Sequence, residues 1–119
     1  MIIRQGFAEL RGCGAAISDE AALRDAAVAA ARSAGATVIG DHAQRYAEHG
    51  LTLVIFLAQS HVMLSTWPEY DLILADVLLC DDTMSVDGAI DALAARLCPD
   101  GTVVRSSVER RIGPAETRA

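Results

Sequence analysis

The chain has 119 residues, 52% of them apolar, a formal net charge of −6 and three cysteines. That length suits one hydrophobic core, the apolar content excludes a disordered segment, and the longest apolar run is too short to cross a bilayer. The acidic balance disfavours nucleic acid or an anionic membrane surface as a partner, because phosphate recognition depends on clustered Lys and Arg.

Arg105, Arg110, Arg111 and Arg118 make the C-terminal end locally basic and read as a solvated tail. Cys13, Cys80 and Cys98 show no CxxC spacing, so neither a metal site nor a disulfide framework is expected, and each counts as a free thiol. The opening MIIRQGFAEL alternates like a strand and lacks the features of a secretion signal, which makes the cytoplasm the expected location.

In chain order, Ile2 to Leu10 is predicted as a strand that the GCG of Gly12 to Gly14 releases into a loop. Ser18 and Asp19 offer an N-cap to a helix through EAALRDAAVAAARSA, which Gly35 ends. Val38 to Tyr46 and Leu51 to Ala58 read as a second and a third strand about the turn Glu48 to Gly50, and Leu72 to Cys80 as a fourth. A second helix over Val86 to Leu97 is closed by Cys98 and Pro99; a strand over Thr102 to Glu109 follows, and the final PAETRA is expected to fray.

The order β, α, β, β, β, α, β, with a turn too short for a crossover between strands two and three, predicts a single α+β domain over residues 1–119. Its architecture would be a two-layer sandwich: an antiparallel sheet with two helices on one face. Continuous apolar runs such as LTLVIFLA need cover on both faces of the sheet, and two helices cover only one. A homodimer packed sheet to sheet is therefore expected.

Between the third and fourth strands lies AQSHVMLSTWPEY, Ala58 to Tyr70. In a regular strand the adjacent Ser60 and His61 point to opposite faces, a poor geometry for a nucleophile and its base, and no GxSxG elbow surrounds the serine. The stretch resembles the signature ESHxxxHTWPE of the bacterial S-adenosylmethionine decarboxylases, small enzymes that make their own pyruvoyl cofactor. GFAELRGC, AGATVIG, RYAEHGLT and ADVLLCDDT are likewise similar to that family's AELYGC, AGATVVG, KFSPHGVS and VDIFTCGDT, in order and with nearly unchanged spacing over Gly6 to Val104.

The resemblance implies that the chain breaks itself between Gln59 and Ser60. The hydroxyl of Ser60 attacks the carbonyl of Gln59 to give an ester; elimination and hydrolysis leave a pyruvoyl group at the new N-terminus, which forms a Schiff base with the substrate's amine and draws off electrons as the carboxylate leaves. By the same match Cys80 returns a proton to the decarboxylated carbon, Glu69 holds the ribose hydroxyls, Tyr46 stands where a phenylalanine stacks on adenine, and Thr52 replaces a serine linked to processing. Read without that likeness, Cys80 is a core thiol, Glu69 a solvated turn residue and Tyr46 an edge aromatic. Leu64 is a candidate lining residue of the substrate pocket, while Trp67 and Pro68 shape the turn.

Three departures stand out: Gln59 for glutamate, Gln5 for histidine, and Ser65 where the family has the histidine that acts as base in maturation. A serine has no basic nitrogen, and loss of a general base costs ~100- to ~10,000-fold. His61 would substitute only if the strand bends. The sequence thus supports a self-processed pyruvoyl decarboxylase of S-adenosylmethionine, supplying aminopropyl groups for polyamines without a metal. Alternatives are an uncleaved paralogue that binds nucleosides or regulates a partner, and a pyruvoyl decarboxylase of another amino acid.

Overall fold

In the computed structural model, which describes residues 1–115, six strands form one antiparallel sheet in the order β2-β3-β4-β5-β1-β6. The strands are β1 (Ile2–Arg11), β2 (Val38–Arg45), β3 (Leu51–Leu57), β4 (Ser60–Trp67), β5 (Leu72–Leu78) and β6 (Thr102–Arg111). Helices α1 (Glu20–Ser33) and α2 (Val86–Leu97) pack side by side on one face, α1 over β3 and β4, α2 over β1 and β5. The α+β sandwich is as expected, with one strand more than the sequence reading gave. That strand is β4, and it occupies the centre of the sheet rather than a loop. The PAETRA fraying and Arg118 fall partly or wholly on residues 116–119, outside the described residues.

Asp19 caps α1 by accepting from the Ala22 amide at 3.1 Å, and Ser85 caps α2 through the Gly88 amide at 2.9 Å, each satisfying a donor that the first turn leaves free. The buried stripe of α1 is Leu23, Ala26, Ala27, Ala30 and Ala31; that of α2 is Val86, Ala89, Ile90, Leu93 and Leu97, all at helical spacing. Small side chains on α1 allow close approach to α2. On β1, Gly6 is required for a similar reason: a Cβ there would run into Val86.

Below the helices, Leu53, Ile55, Val62, Leu64, Ile73 and Val77 form the sheet's inner layer, each fully buried. Leu64 therefore belongs to this core and not to a substrate pocket, because β4 turns Val62, Leu64 and Thr66 inward and His61, Met63 and Ser65 outward. Arg105 also departs from the solvated-tail reading: β6 sets it beside α2, where it pairs with Asp91 at 2.7 Å and Asp87 at 3.6 Å.

Among the described residues, no element covers the outer face of the sheet. Phe56, Leu74, Val104 and Val108 lie there between 37% and 63% exposed, a larger apolar surface than a solitary sheet normally shows to water.

Candidate functional site

The β3–β4 hairpin turns through only two residues, Ala58 and Gln59, closed by the pair Leu57↔Ser60. Gln59 has φ of 65°, a left-handed conformation that a two-residue turn of this kind usually assigns to Gly or Asn and that strains a residue with a longer side chain. Ser60 follows at once. Its hydroxyl makes only a long contact, 3.4 Å to the Ala58 carbonyl, and so is free to engage another group. Leu78 of β5 pairs with His61, so the chain running on from β5 delivers Cys80 to the same end of the sheet. Asp81 beside it is held below the usual carboxylate range by the Thr83 amide, which donates to Asp81 Oδ1 at 2.7 Å.

The remaining predicted residues gather at the opposite end. Tyr46, Thr52, Ser65 and Glu69, with Glu48, His49, Trp67 and others, line a cleft of about 510 Å³. Gly50, with φ of 84°, fits beneath it because a Cβ would meet the Thr66 carbonyl. The Tyr46 hydroxyl lies 2.7 Å from Thr52 Oγ1, which lies 3.4 Å from Ser65 Oγ, so three hydroxyls run in line along the cleft wall. Thr66 behind them clamps the start of β3, accepting from the Leu51 amide at 2.9 Å. An aromatic face, a carboxylate and a row of hydroxyls suit a nucleoside-sized ligand.

The structure therefore splits the candidate residues into two groups. Ser65 is not next to Ser60: five residues of extended β4 separate them by about 17 Å. No side chain within one chain bridges that span.

A third group lies between them on the outer face, and the sequence reading did not assemble it. Asp76 Oδ1 accepts from Gln5 Nε2 at 2.9 Å and lies 3.2 Å from His61 Nε2. The available signal was a lone aspartate interrupting the apolar run LILADVLLC, on the same strand face as Leu74 and Leu78. Away from these groups, Cys13 and Cys98 meet beneath the end of β1. Burial, followed by the hydrogen bond and charge of Cys98 and the charge of Asp71, pushes the Cys13 thiol up to about 12. Cys98 Sγ donates to the Arg11 carbonyl at 2.8 Å. Among the described residues, no three His, Cys, Asp or Glu side chains are grouped to hold a metal, and no helix is long and apolar enough to cross a membrane.

Comparison with known proteins agrees with this architecture. The family model described as S-adenosylmethionine decarboxylase matches residues 4–111. A protein of Prochlorococcus marinus named S-adenosylmethionine decarboxylase proenzyme is 35% identical over 98 residues, 82% of this chain and 78% of its own length. A relative of the same name from Pseudomonas paraeruginosa is 32% identical over 91 residues, 76% of this chain and 56% of its own length, and one from Archaeoglobus fulgidus is 34% identical over 64 residues, 54% of this chain and 57% of its own length. The crystal structure of the adenosylmethionine decarboxylase from Aquifex aeolicus superimposes with a TM-score of 0.78 at 30% identity, covering 98% of this chain and 96% of that one. With the family pattern matched along nearly the whole sheet and both helices, the chain belongs to the S-adenosylmethionine decarboxylase family.

Proposed function

We propose that the chain is a precursor that cuts itself between Gln59 and Ser60, and that the mature protein, a homodimer packed sheet to sheet, decarboxylates S-adenosylmethionine to supply aminopropyl groups for polyamines. The observation that carries this reading is the hairpin tip. A strained Gln59 presents its carbonyl immediately before a serine whose hydroxyl is free, and Cys80 reaches the same end from the neighbouring strand. The relatives' name, proenzyme, is in keeping with a precursor.

The tip also fits the group that such a cut would create. Residue 60 heads a central strand, so its backbone stays fixed by the β3 ladder at Leu57, with the β5 ladder starting at His61, while the preceding turn is released. The pyruvoyl group supplies an electron sink for decarboxylation. Cys80, a partly exposed thiol carried to that end by the chain leaving β5, delivers a proton there in this reading. Tyr46 and Glu69 supply the face and the carboxylate that hold the adenosyl part of the substrate.

These two groups lie about 17 Å apart on β4, and the apolar outer face is uncovered. A two-fold axis running between two facing sheets, parallel to them and perpendicular to β4, would account for both facts. A second copy facing the first lays its cleft over the first copy's hairpin tip, and the reverse contact follows by symmetry. Each site then takes Ser60 and Cys80 from one chain and Tyr46, Thr52, Ser65 and Glu69 of the partner subunit. The same packing removes Phe56, Leu74, Val104 and Val108 from water.

Denaturing mass spectrometry of the purified protein tests the cut. Fragments 1–59 and 60–119, the second without a free amine, are expected, together with CO₂ release from carboxyl-labelled S-adenosylmethionine. A chain that stays intact on prolonged incubation would contradict the proposal. One observation favours a second reading, an uncleaved nucleoside-binding or regulatory paralogue: position 65 offers only a hydroxyl, 3.4 Å from Thr52. If that reading holds, the wild-type chain binds S-adenosylmethionine uncleaved and Ser65→His switches cleavage on. A panel of labelled amino acids in the same CO₂ assay separates S-adenosylmethionine from another amino-acid substrate.

A further inference from the structure

Self-cleavage at Ser60 requires a base, and position 65 offers only a hydroxyl. The only imidazole next to the hairpin tip among the described residues is His61, the first outward-facing residue of β4. Its Nε2 lies 3.2 Å from Asp76 Oδ1, on the neighbouring strand β5. Asp76 is itself fixed from the other side by Gln5 of β1, whose Nε2 donates to the same oxygen at 2.9 Å. Three adjacent strands thus each contribute one side chain to a single line of hydrogen bonds.

The tautomer that completes this line of bonds, with the Asp76 carboxylate as acceptor, carries the hydrogen on His61 Nε2 and leaves the lone pair on Nδ1. β4 is regular at Ser60 and His61, so their side chains take opposite faces; the target, however, is the α-hydrogen of residue 60, on the main chain, and Nδ1 is the ring nitrogen nearer that main chain. A carboxylate behind an imidazole, with the free nitrogen turned to the reacting group, is how a general base is held and oriented. His61 and Asp76 are partly shielded, with side chains 29% and 22% exposed, so the pair keeps its geometry without being sealed from the tip.

We infer that His61, held by Asp76 and through it by Gln5, is the base that removes the α-proton of residue 60 during self-cleavage. The inference rests on the self-processing reading above. Ser60 Oγ adds to the Gln59 carbonyl carbon, the Gln59–Ser60 C–N bond breaks, and the hydroxyl proton passes to the new amine, giving an ester. His61 Nδ1 then takes the proton from the α-carbon of residue 60. The C–H electron pair becomes a Cα=Cβ double bond, and the Cβ–O bond breaks to release the Gln59 carboxylate. The resulting enamine becomes an imine, water adds to it, and ammonia leaves. One water is consumed and one ammonia released, with no oxidant or reductant. Asp76 and Gln5 are positioning residues, since they act through His61.

The test follows full-length protein by denaturing mass spectrometry with and without hydroxylamine, which cleaves the ester and leaves the amide intact. His61→Gln is expected to cleave ~100- to ~10,000-fold more slowly and to build up hydroxylamine-labile ester. Asp76→Asn is expected to slow cleavage about 10- to 100-fold, as loss of a partner behind an imidazole does elsewhere. His61→Gly should regain cleavage when free imidazole is added, a rescue that repairs a missing base and not a misfolded chain; circular dichroism confirms that each variant folds. If wild type cleaves and His61→Gln matches its rate, the inference is overturned while self-processing stands. Failure of imidazole to restore a folded His61→Gly overturns it as well. A wild-type chain that gives neither fragments nor labile ester overturns the self-processing reading, and this inference with it.

Discussion

If each active site is built from two chains, two dead variants should revive one another. Ser60→Ala removes the residue that the cut requires, and Glu69→Ala removes the carboxylate of the cleft, beyond the far end of β4, whose seven steps from Ser60 to Trp67 span about 24 Å. Glu69→Ala alone forfeits charged hydrogen bonds worth ~1.5–3 kcal/mol, about 10- to 150-fold in activity at low substrate. Ser60→Ala alone abolishes activity. When the two are unfolded together and refolded, random pairing makes about half the dimers mixed, and each mixed dimer has one site with both defects and one with neither. Activity should return to about a quarter of wild type per chain, measured as CO₂ released from carboxyl-labelled S-adenosylmethionine, where neither variant alone approaches that level. If each chain carries a whole site, every site in the mixture has one defect, and activity stays at the average of the two variants. That result would refute the shared site and the facing-sheet dimer that produces it.

Four further outcomes follow from the structure. Gln59→Gly should relieve the strain of φ 65°, raising the urea midpoint in a Ser60→Ala background by the equivalent of about 1 kcal/mol and slowing the cut when Ser60 is present; an unchanged cleavage half-time would detach the strain from the chemistry. Gly6→Ala drives a methyl into Val86 and should cost ~1–3 kcal/mol, partly recovered by adding Val86→Ala; strictly additive losses in a double-mutant cycle would show that the two do not touch. Leu64→Ala should lose ~2–5 kcal/mol of stability with substrate affinity unchanged per folded molecule, whereas a weaker affinity with normal stability would return Leu64 to the pocket. The Cys13 thiol keeps its proton in the folded chain up to about 12 but loses it near 9.0 when unfolded. Its raised value favours the fold below 9.0, and stability should therefore fall as pH climbs from 9.0 toward 12, by less than about 1.4 kcal/mol per unit; Cys13→Ala should flatten that slope in denaturant titrations.

Much of the architecture was legible because local rules and global packing agree in it. The cap at Asp19, the helix-forming run of α1, the alternation of β1 and the continuous apolar run of β3 all point to the elements that form. β4 escaped notice because its outward positions are His61, Met63 and Ser65 and its end is Trp-Pro; the inward series Val62, Leu64, Thr66 was the readable half of its pattern. The layout of the site was harder to read. A motif of five residues suggests nearness, but an extended chain carries its ends apart, and only the antiparallel register shows that Cys80 returns to the Ser60 end while Thr52 pairs with Ser65 at the other. The link from His61 to Asp76 to Gln5 crosses three strands far apart in sequence, and no local pattern encodes it.

The strand order would give the proposed cut after residue 59 an unusual outcome. Everything before it supplies β1, β2 and β3; everything after it supplies β4, β5 and β6. In the sheet, however, β1 is threaded between β5 and β6 while β3 lies along β4, so the two pieces are dovetailed through three separate ladders. Severing the backbone there opens one hairpin tip and leaves every ladder in place. A chain cut there would be a natural split protein: its halves would hold each other in register, and neither could leave without dismantling the sheet.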